Sequence, residues 1–589
     1  MEPITMIPAS PPRSACWPRA SFICWTVLPL AMLGWTSFAP AQVAPPTPGA
    51  GQLLKQVEPV ITPPPATVET PALRIEPAAK AAPAAEESTP IAVTTIELSG
   101  NKSIDTATLK ALVADAEGQT QTLAQLNALA QRITDFYRAQ GQPLASAYLP
   151  AQTMDQGVLK IVIVEAIYGQ IRVENRSRMS TSQIEAFVAA LKPGDVVRQD
   201  PLDRSLLLLR DLAGVSVSAN AQPGTEVGTT DLVLTAIDAA RVAGTFALDN
   251  QGSKASGRVR GIGTVELRNA LGRGETFSAL ALTSGEGMAY VRAAAQAPVT
   301  GVGTTLGVGV AQLQYKLGDV FSSLDAGGTA TVVDGFVQQA LVRSTRAALN
   351  ADLRMEHKTL RDRVNSVGTH NDRTLTTLAP GVSGELRDEL GGGGRTTFSV
   401  GYTAGKVSFD DAIAEAKDQD PAGANTKGTY GRLNVEVARQ QSLGGWPALA
   451  NTSLFARVRG QASSKNLDSS EQISIAGPQG VRGYDANAMS GSQGFVATLE
   501  VRHLVASTPY GVIQAQVFAD SGQVRTYKNP LLNSTLPNTA SMHSAGVGLN
   551  WATKTGWNAQ LSVAQPIGGS PAIAAQRGTR AWLTVGGTF

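Results

Sequence analysis

The residues best suited to chemistry are few and dispersed. Four histidines, His357, His370, His503 and His543, fall in separate segments of the C-terminal half. No His-Glu-x-x-His offers paired metal ligands, and no Gly-x-Ser-x-Gly turn presents a nucleophile. Gly301-Val302-Gly303 lacks the third glycine of a dinucleotide loop, and there is no Walker A motif. Carboxylates are plentiful, but none form a recognisable glycosidase pair. The histidines read as lumen or loop residues, and no catalytic residue, metal or cofactor is expected. Two other segments stand out. One runs from Ser470-Glu471-Gln472 to Gly477-Pro478-Gln479-Gly480-Val481-Arg482-Gly483-Tyr484, and the other is Phe518-Ala519-Asp520-Ser521-Gly522. An arginine keeps its charge at any physiological pH, so chemistry here means holding a partner rather than moving a proton.

Both segments lie where helical periodicity has vanished. From residue 239 to 589, alternating runs recur between Gly/Asn/Asp-rich turns. Phe495, Ala497, Leu499 and Val501 share one face of a strand, while Thr498, Glu500 and Arg502 join Val496 on the other. Over 513–520 the apolar face is Ile513, Ala515, Val517 and Ala519; Gln514, Gln516 and Asp520 face the other way. At the end, Ala581, Leu583, Val585 and Phe589 lie opposite Arg580, Thr584 and Thr588. Polar faces this rich in Arg, Glu, Asp and Gln suit a hydrated lumen better than the core of a soluble sandwich. Spread over about 350 residues, 16 membrane strands leave roughly 22 residues per strand and connection, with 14 or 18 as neighbouring solutions.

Composition narrows the classes further. The 589 residues include 59 glycines and only 16% charged residues. Lys+Arg number 49 against 47 Asp+Glu, a balance that does not suggest a nucleic-acid partner. After the N-terminus no apolar run is long enough for a membrane helix. Arg13 and Arg19 precede the apolar stretch Phe22–Phe38 and Ala39-Pro40-Ala41, so residues 1–41 read as a signal peptide. Cys16 and Cys24 lie within it, and the mature chain is expected to hold no cysteine and no disulfide.

Between signal and barrel lie three more zones. Residues 42–58 contain a short helix candidate, Gly51–Val57. Residues 59–90 hold eight prolines among alanines and read as a linker able to span roughly 100 Å at about 3.1 Å per residue. Residues 91–166 and 167–238 read as two tandem β-α-α-β-β units, with Ile96-Glu97-Leu98 and Ile171-Arg172-Val173 in corresponding strands. In the second unit, Ser182-Gln183-Ile184-Glu185 reads as a capping box and Asp200-Pro201 as the cap of the next helix.

Together, the tandem units, the Val-Arg-Gly-Tyr segment and the Phe-x-Asp-x-Gly segment resemble the two-partner secretion (TpsB) transporters. These form the haemolysin activation/secretion outer-membrane family, related to the Omp85 assembly factors. Asn269-Ala270-Leu271-Gly272-Arg273-Gly274-Glu275, Ala297-Pro298-Val299 and Leu341-Val342-Arg343-Ser344 are smaller echoes. The resemblance spans essentially the whole mature chain. It implies a transmembrane β-barrel of about 16 antiparallel strands, preceded by two periplasmic POTRA domains. It further implies that Val481, Arg482, Gly483 and Tyr484 tip an extracellular loop folded into the lumen, with Arg482 against Asp520 on the wall beside Phe518 and Gly522. Asp520 falls on the inward face by phase, and an arginine fork can bond a carboxylate bidentately. Gly483 would permit a tight turn and Tyr484 offers a hydroxyl to bond. Residues 51–58 would plug the pore, and Phe589 would be the signal read by the barrel-assembly machinery.

The function so implied is secretion, without ATP, of an unfolded TpsA-type exoprotein from the periplasm across the outer-membrane lipid. The POTRA units would recognise it by strand addition, around Val215–Ser218 and the helix 200–212. An assembly or insertion factor of the Omp85 superfamily is the alternative. A diffusion porin would leave residues 91–238 unexplained.

Overall fold

The computed structural model describes residues 47–57, 73–75, 90–226, 228–285, 287–486, 488–532, 534, 536–568 and 578–589. The expected signal peptide and most of the Pro-rich linker lie outside these residues.

The chain enters with helix α1 (Ala50–Val57) and a short strand, β1 (Leu73–Ile75). The first α+β unit follows: β2 (Ile91–Val93), β3 (Thr95–Ser99), α2 (Thr106–Ala111), β4 (Gln119–Gln121), α3 (Leu123–Ala139), β5 (Ser146–Tyr148) and β6 (Val158–Val164). Its main sheet has the order β3-β6-β5, and Leu126, Leu129, Ile133 and Tyr137 of α3 are buried in a core shared with Ile96, Leu159 and Ile161. The Thr122 side chain caps α3, and Gln125 bonds back to the Thr122 N–H. The second unit contains β7 (Ile167–Arg176), α4 (Thr181–Val188), α5 (Gln199–Arg210), β8 (Val215–Pro223) and β9 (Thr229–Asp238).

Two local expectations in this unit are corrected. Ser180, not Ser182, is the N-cap of α4 and makes no side-chain cap bond, because its hydroxyl turns to Ser182. Arg198 occupies the N-cap of α5, leaving Asp200 and Pro201 inside the first turn, where an acidic side chain and a missing N–H are both tolerated. A third difference concerns the linker. Residues 73–75 pair in parallel with β8, Leu73 opposite Ala219 and Ile75 opposite Ala221, giving the sheet order β1-β8-β9-β7. The outer edge of β8 is therefore covered.

The barrel begins with β10 (Val242–Asp249), β11 (Arg260–Arg268), β12 (Thr276–Thr283), β13 (Met288–Pro298), β14 (Thr304–Lys316) and β15 (Ala326–Arg343). It continues through β16 (Ala347–Val364), β17 (Thr369–Asp388), β18 (Gly394–Phe409), helix α6 (Ala412–Gln419), β19 (Gly428–Ser442) and β20 (Thr452–Ser463). After a long loop that carries β21 (Ile473–Ser474) and β22 (Ser490–Gly491) come β23 (Gln493–Thr508), β24 (Gly511–Arg525), β25 (Thr539–Ala552), β26 (Asn558–Pro566) and β27 (Arg580–Thr588). All but β21 and β22 form one closed antiparallel barrel of 16 strands. Five residue pairs join β10 to β27, from Thr245 opposite Thr588 to Asp249 opposite Thr584. Gly244 and Phe589 extend this closure by exchanging both backbone hydrogen bonds at 3.0 Å.

The second unit is fastened to three turns at the near end of the barrel. Arg204 of α5 donates to the carbonyls of Val302, Ala340 and Leu341 at 2.7–3.1 Å. Arg343 forks onto Asp211 at 2.7 and 2.8 Å, and the Ser180 N–H donates to Gly272. A Cβ on Gly301 would lie 2.0 Å from the Ala186 oxygen, so only glycine allows this approach.

Candidate functional site

Residues 464–492 connect β20 to β23 and fold back into the lumen. Arg482 donates from Nε and Nη2 to the two oxygens of Asp520 on β24, at 2.9 and 2.7 Å. Its Nη1 reaches Glu500 on β23 at 2.8 Å, and its guanidinium lies 3.4 Å from the centre of the Phe518 ring. Asp520 also accepts from the Arg482 N–H, Thr498 and Ser544. The Trp582 indole donates to the Arg482 carbonyl at 2.8 Å. One buried cation therefore meets two buried carboxylates and an aromatic face, and strands β23, β24, β25 and β27 all touch the loop tip. Removing either side of such a pair leaves an uncompensated buried charge, which costs about 3–5 kcal/mol.

The other motif residues act by packing. Gly483 sits in the tight turn closed by the Tyr484 N–H donating to the Val481 carbonyl at 3.3 Å, but without a positive φ; a Cβ there would lie 2.9 Å from Ser544 Cβ and Pro566 N, so glycine is needed for close approach to the wall. Tyr484 is buried, and its hydroxyl has no hydrogen-bond partner among the described residues. Val481 is buried in a small core with Tyr484, Ile475 and Val524, and a Cβ on Gly522 would crowd it at 3.1 Å. Glu471, at the other end of the loop, is fully buried between Lys358 of β16 at 2.9 Å and Arg432 of β19 at 3.0 Å.

Helix α1 lies in the lumen, with Ala50, Leu53, Leu54 and Val57 buried against the wall. Both of its ends are answered by charge. Asp362 of β16 accepts the Ala50 N–H at 2.7 Å, and Arg260 of β11 donates to the Gln56 carbonyl at 3.0 Å. An anion at a helix N-terminus and a cation at its C-terminus both suit the helix dipole. Asp362 is shared: Tyr315 and Arg373 also bond it, and Arg373 bonds Asp468 of the loop. Gly51 meets the loop so closely that a Cβ would lie 2.5 Å from Ser469 Oγ and Ser470 N.

The lumen wall has two characters. Toward the near end it is charged, with Arg292 and Arg354 on Asp334 and Arg387 and Arg395 on Glu385. A polar cavity of about 320 Å³ opens there beside Asp352, Ser383, Ser399 and Asn434. Toward the far end, on the arc from β12 to β19, apolar inward side chains gather: Leu282, Tyr290, Leu313, Leu360, Leu375, Val407 and Tyr430 are all buried in the core that holds α1, among the charged Lys358, Asp362, Arg373 and Arg432. The hydrated lumen expected from the polar faces therefore shares the passage with an apolar region that the alternation did not show. The histidines are corrected. His357, His503 and His543 lie on outward faces beside Thr376, Thr452 and Ser521, and His370 is also exposed.

Sequence reasoning missed Glu500, Ser544, Trp582, Asp362 and Arg260. Glu500 and Trp582 carried a signal, since alternation puts both on the inward side of their strands.

The model for the haemolysin secretion/activation proteins ShlB/FhaC/HecB matches residues 228–551, more than half of the chain. The chain belongs to this family. The ShlB-type POTRA model matches residues 91–166. Curated relatives include the heme/hemopexin transporter protein HuxB of Haemophilus influenzae, 26% identical over 79% of this chain and 82% of its own length. The outer membrane transporter CdiB of Escherichia coli is 24% identical over 73% and 72%. Among solved structures, CdiB from E. coli superposes with a TM-score of 0.63 at 21% identity, covering 87% of this chain and 92% of that one. CdiB from Acinetobacter baumannii gives 0.57 at 16%, covering 86% and 91%. This family member is thus a two-partner secretion transporter of Omp85-like fold, an outer-membrane barrel with its POTRA units in the periplasm. The family is one of transporters rather than enzymes.

Proposed function

We propose that this transporter secretes one dedicated, unfolded exoprotein through its lumen without ATP. The observation that carries the reading is that the closed barrel is filled by a helix and a loop held through side-chain contacts, not by strands of the wall. Each can leave while the 16-stranded wall stays paired. The cargo first binds the periplasmic units by adding a strand, and the outer edge of β8 suits this because its neighbour β1 is only three residues long. Cargo binding there requires β1 to be displaced. Arg482, with Val481, Gly483 and Tyr484, holds the loop against Asp520, Phe518 and Gly522 in the closed pore. Phe589, whose backbone extends the seam, serves as the recognition signal for the barrel-assembly machinery. The partner is a TpsA-type protein delivered across the outer-membrane lipid.

Comparative mass spectrometry of culture supernatants and outer membranes, with and without the gene, tests this. Loss of one large secreted protein with an unchanged membrane is expected. Unchanged supernatants with several barrels depleted from the membrane would mean an assembly factor instead.

A further inference from the structure

The apolar arc of the lumen is ordered more closely than helix packing alone requires. Leu282, Tyr290, Leu313, Ala330 and Leu360 are direct cross-strand partners, one after another, on β12 to β16. All five are buried and face inward. They form one continuous row about 19 Å wide at the usual spacing between strands. Arg373, opposite Leu360, ends the row with a charge.

The outward side chains fix the height of the row. On β14, Leu306, Val308 and Val310 point outward and are exposed, as lipid contact requires. Two residues on, the pattern inverts: Gln312, Gln314 and Lys316 point outward while Leu313 and Tyr315 point inward. Thr331, Thr359 and Arg361 occupy the same outward level on β15 and β16. On β14 to β16 the row therefore lies above the apolar band, at the extracellular end of the passage, and on β12 and β13 it meets the band's upper edge at Ala281 and Val291. In the closed pore its cover is α1, an ordinary stretch of polypeptide whose Leu53, Leu54 and Val57 alternate with Lys55 and Gln56. Once α1 leaves, the row faces the passage, and Asp362, still held by Tyr315 and Arg373, stands beside it as an acceptor for a backbone N–H.

We propose that this row is an exit site for the secreted polypeptide, which binds extended segments carrying aliphatic side chains, and that α1 covers it as a surrogate for cargo. The proposal rests on the secretion reading above. Segments of the exoprotein that match the row pause there, at the level where the chain emerges and begins to fold.

The test uses the full chain with Gly51→Val, which forces α1 off Ser469 and Ser470, in planar bilayers. A short peptide alternating leucine and serine between terminal lysines is added, beside a control with serine for each leucine. The leucine peptide should block current at about tenfold lower concentration, a preference worth one decade in affinity. Leu313→Ser with Leu360→Ser should abolish that preference, while Leu313→Met with Leu360→Met should keep it. Heat-modifiable migration checks that each barrel is folded. Equal block by both peptides, or a preference that survives the serine pair, overturns the exit site. If neither Gly51→Val nor removal of residues 47–57 raises conductance, α1 does not close the pore, and the proposal falls together with the reading beneath it.

Discussion

Asp362 accepts the backbone N–H of Ala50 at 2.7 Å across 312 positions of sequence. The same carboxylate is held by Tyr315 at 2.5 Å and by Arg373 at 2.7 Å, so the first turn of α1 docks on a preformed acceptor. Asp362→Ala removes that acceptor. A lost helix-capping bond costs about 0.5–2 kcal/mol, so the pore should open roughly 2- to 30-fold more often. Single-channel recording reads this directly, and an unchanged open probability would separate α1 from gating.

Arg482 is the second target. Arg482→Lys keeps the charge but loses the planar fork that reaches Asp520 and Glu500 together. Secretion should fall at least tenfold while heat-modifiable migration is retained, which separates transport from barrel folding. Exchanging the charges, Arg482→Asp with Asp520→Arg, should not restore export, because the new carboxylate would face Glu500. Full export from Arg482→Lys, or from either half of the exchange alone, would show that the loop tip is irrelevant to transport.

Arg204 reaches three carbonyls, one in the turn after β13 and two near the end of β15. Arg204→Ala leaves those acceptors to water and should loosen the second periplasmic unit without unfolding it. Limited proteolysis in the full-length protein should cut the 238–242 connection several-fold faster. Asp211→Asn, which weakens a half-exposed pair, should have a smaller effect.

The first periplasmic unit carries a buried acid. Glu165 accepts from the N–H groups of Lys102 and Ser103 at 2.8 and 2.9 Å and from the Tyr137 hydroxyl at 2.7 Å. Burial pushes its carboxyl up, but these donors outweigh burial and hold it below its ordinary value of 4.5. A carboxyl lowered by folding stabilises the fold above its unfolded value and loses that contribution as pH falls through the folded one. Urea-pulse proteolysis of residues 91–166 in the intact chain should therefore show resistance falling in the window below about pH 4.5. Glu165→Gln should be weaker at neutral pH and flatter across that window.

Much of this architecture is legible in the sequence, and the unread parts share a cause. Alternation reports that two faces differ, and for Phe495–Arg502 it sorts inside from outside correctly. It does not report which apolar face is the lipid one. On β14 the apolar phase reverses within a single strand at Ala311–Leu313, from outward Leu306, Val308 and Val310 to inward Leu313 and Tyr315. His357 and His503 were misplaced similarly, as polar residues on an outward face above or beside the lipid. Glu500 could be placed on the wall, yet nothing local says that a loop tip from residue 482 arrives beside it. Residues 73–75 were hidden by flanking prolines, because a three-residue strand has no periodicity to detect.

The attachment of the second periplasmic unit has a mechanical consequence. Its three anchoring turns join β11 to β12, β13 to β14 and β15 to β16, the strands that carry the apolar row and the acceptor for α1. The loop tip is gripped by β23, β24, β25 and β27 on the other arc. The ring is thus hung from below on one side and bolted from within on the other. A pull on the periplasmic arm is therefore passed to the first arc and, through the 238–242 connection, to β10 at the closure with β27, while the loop tip is held on the other arc.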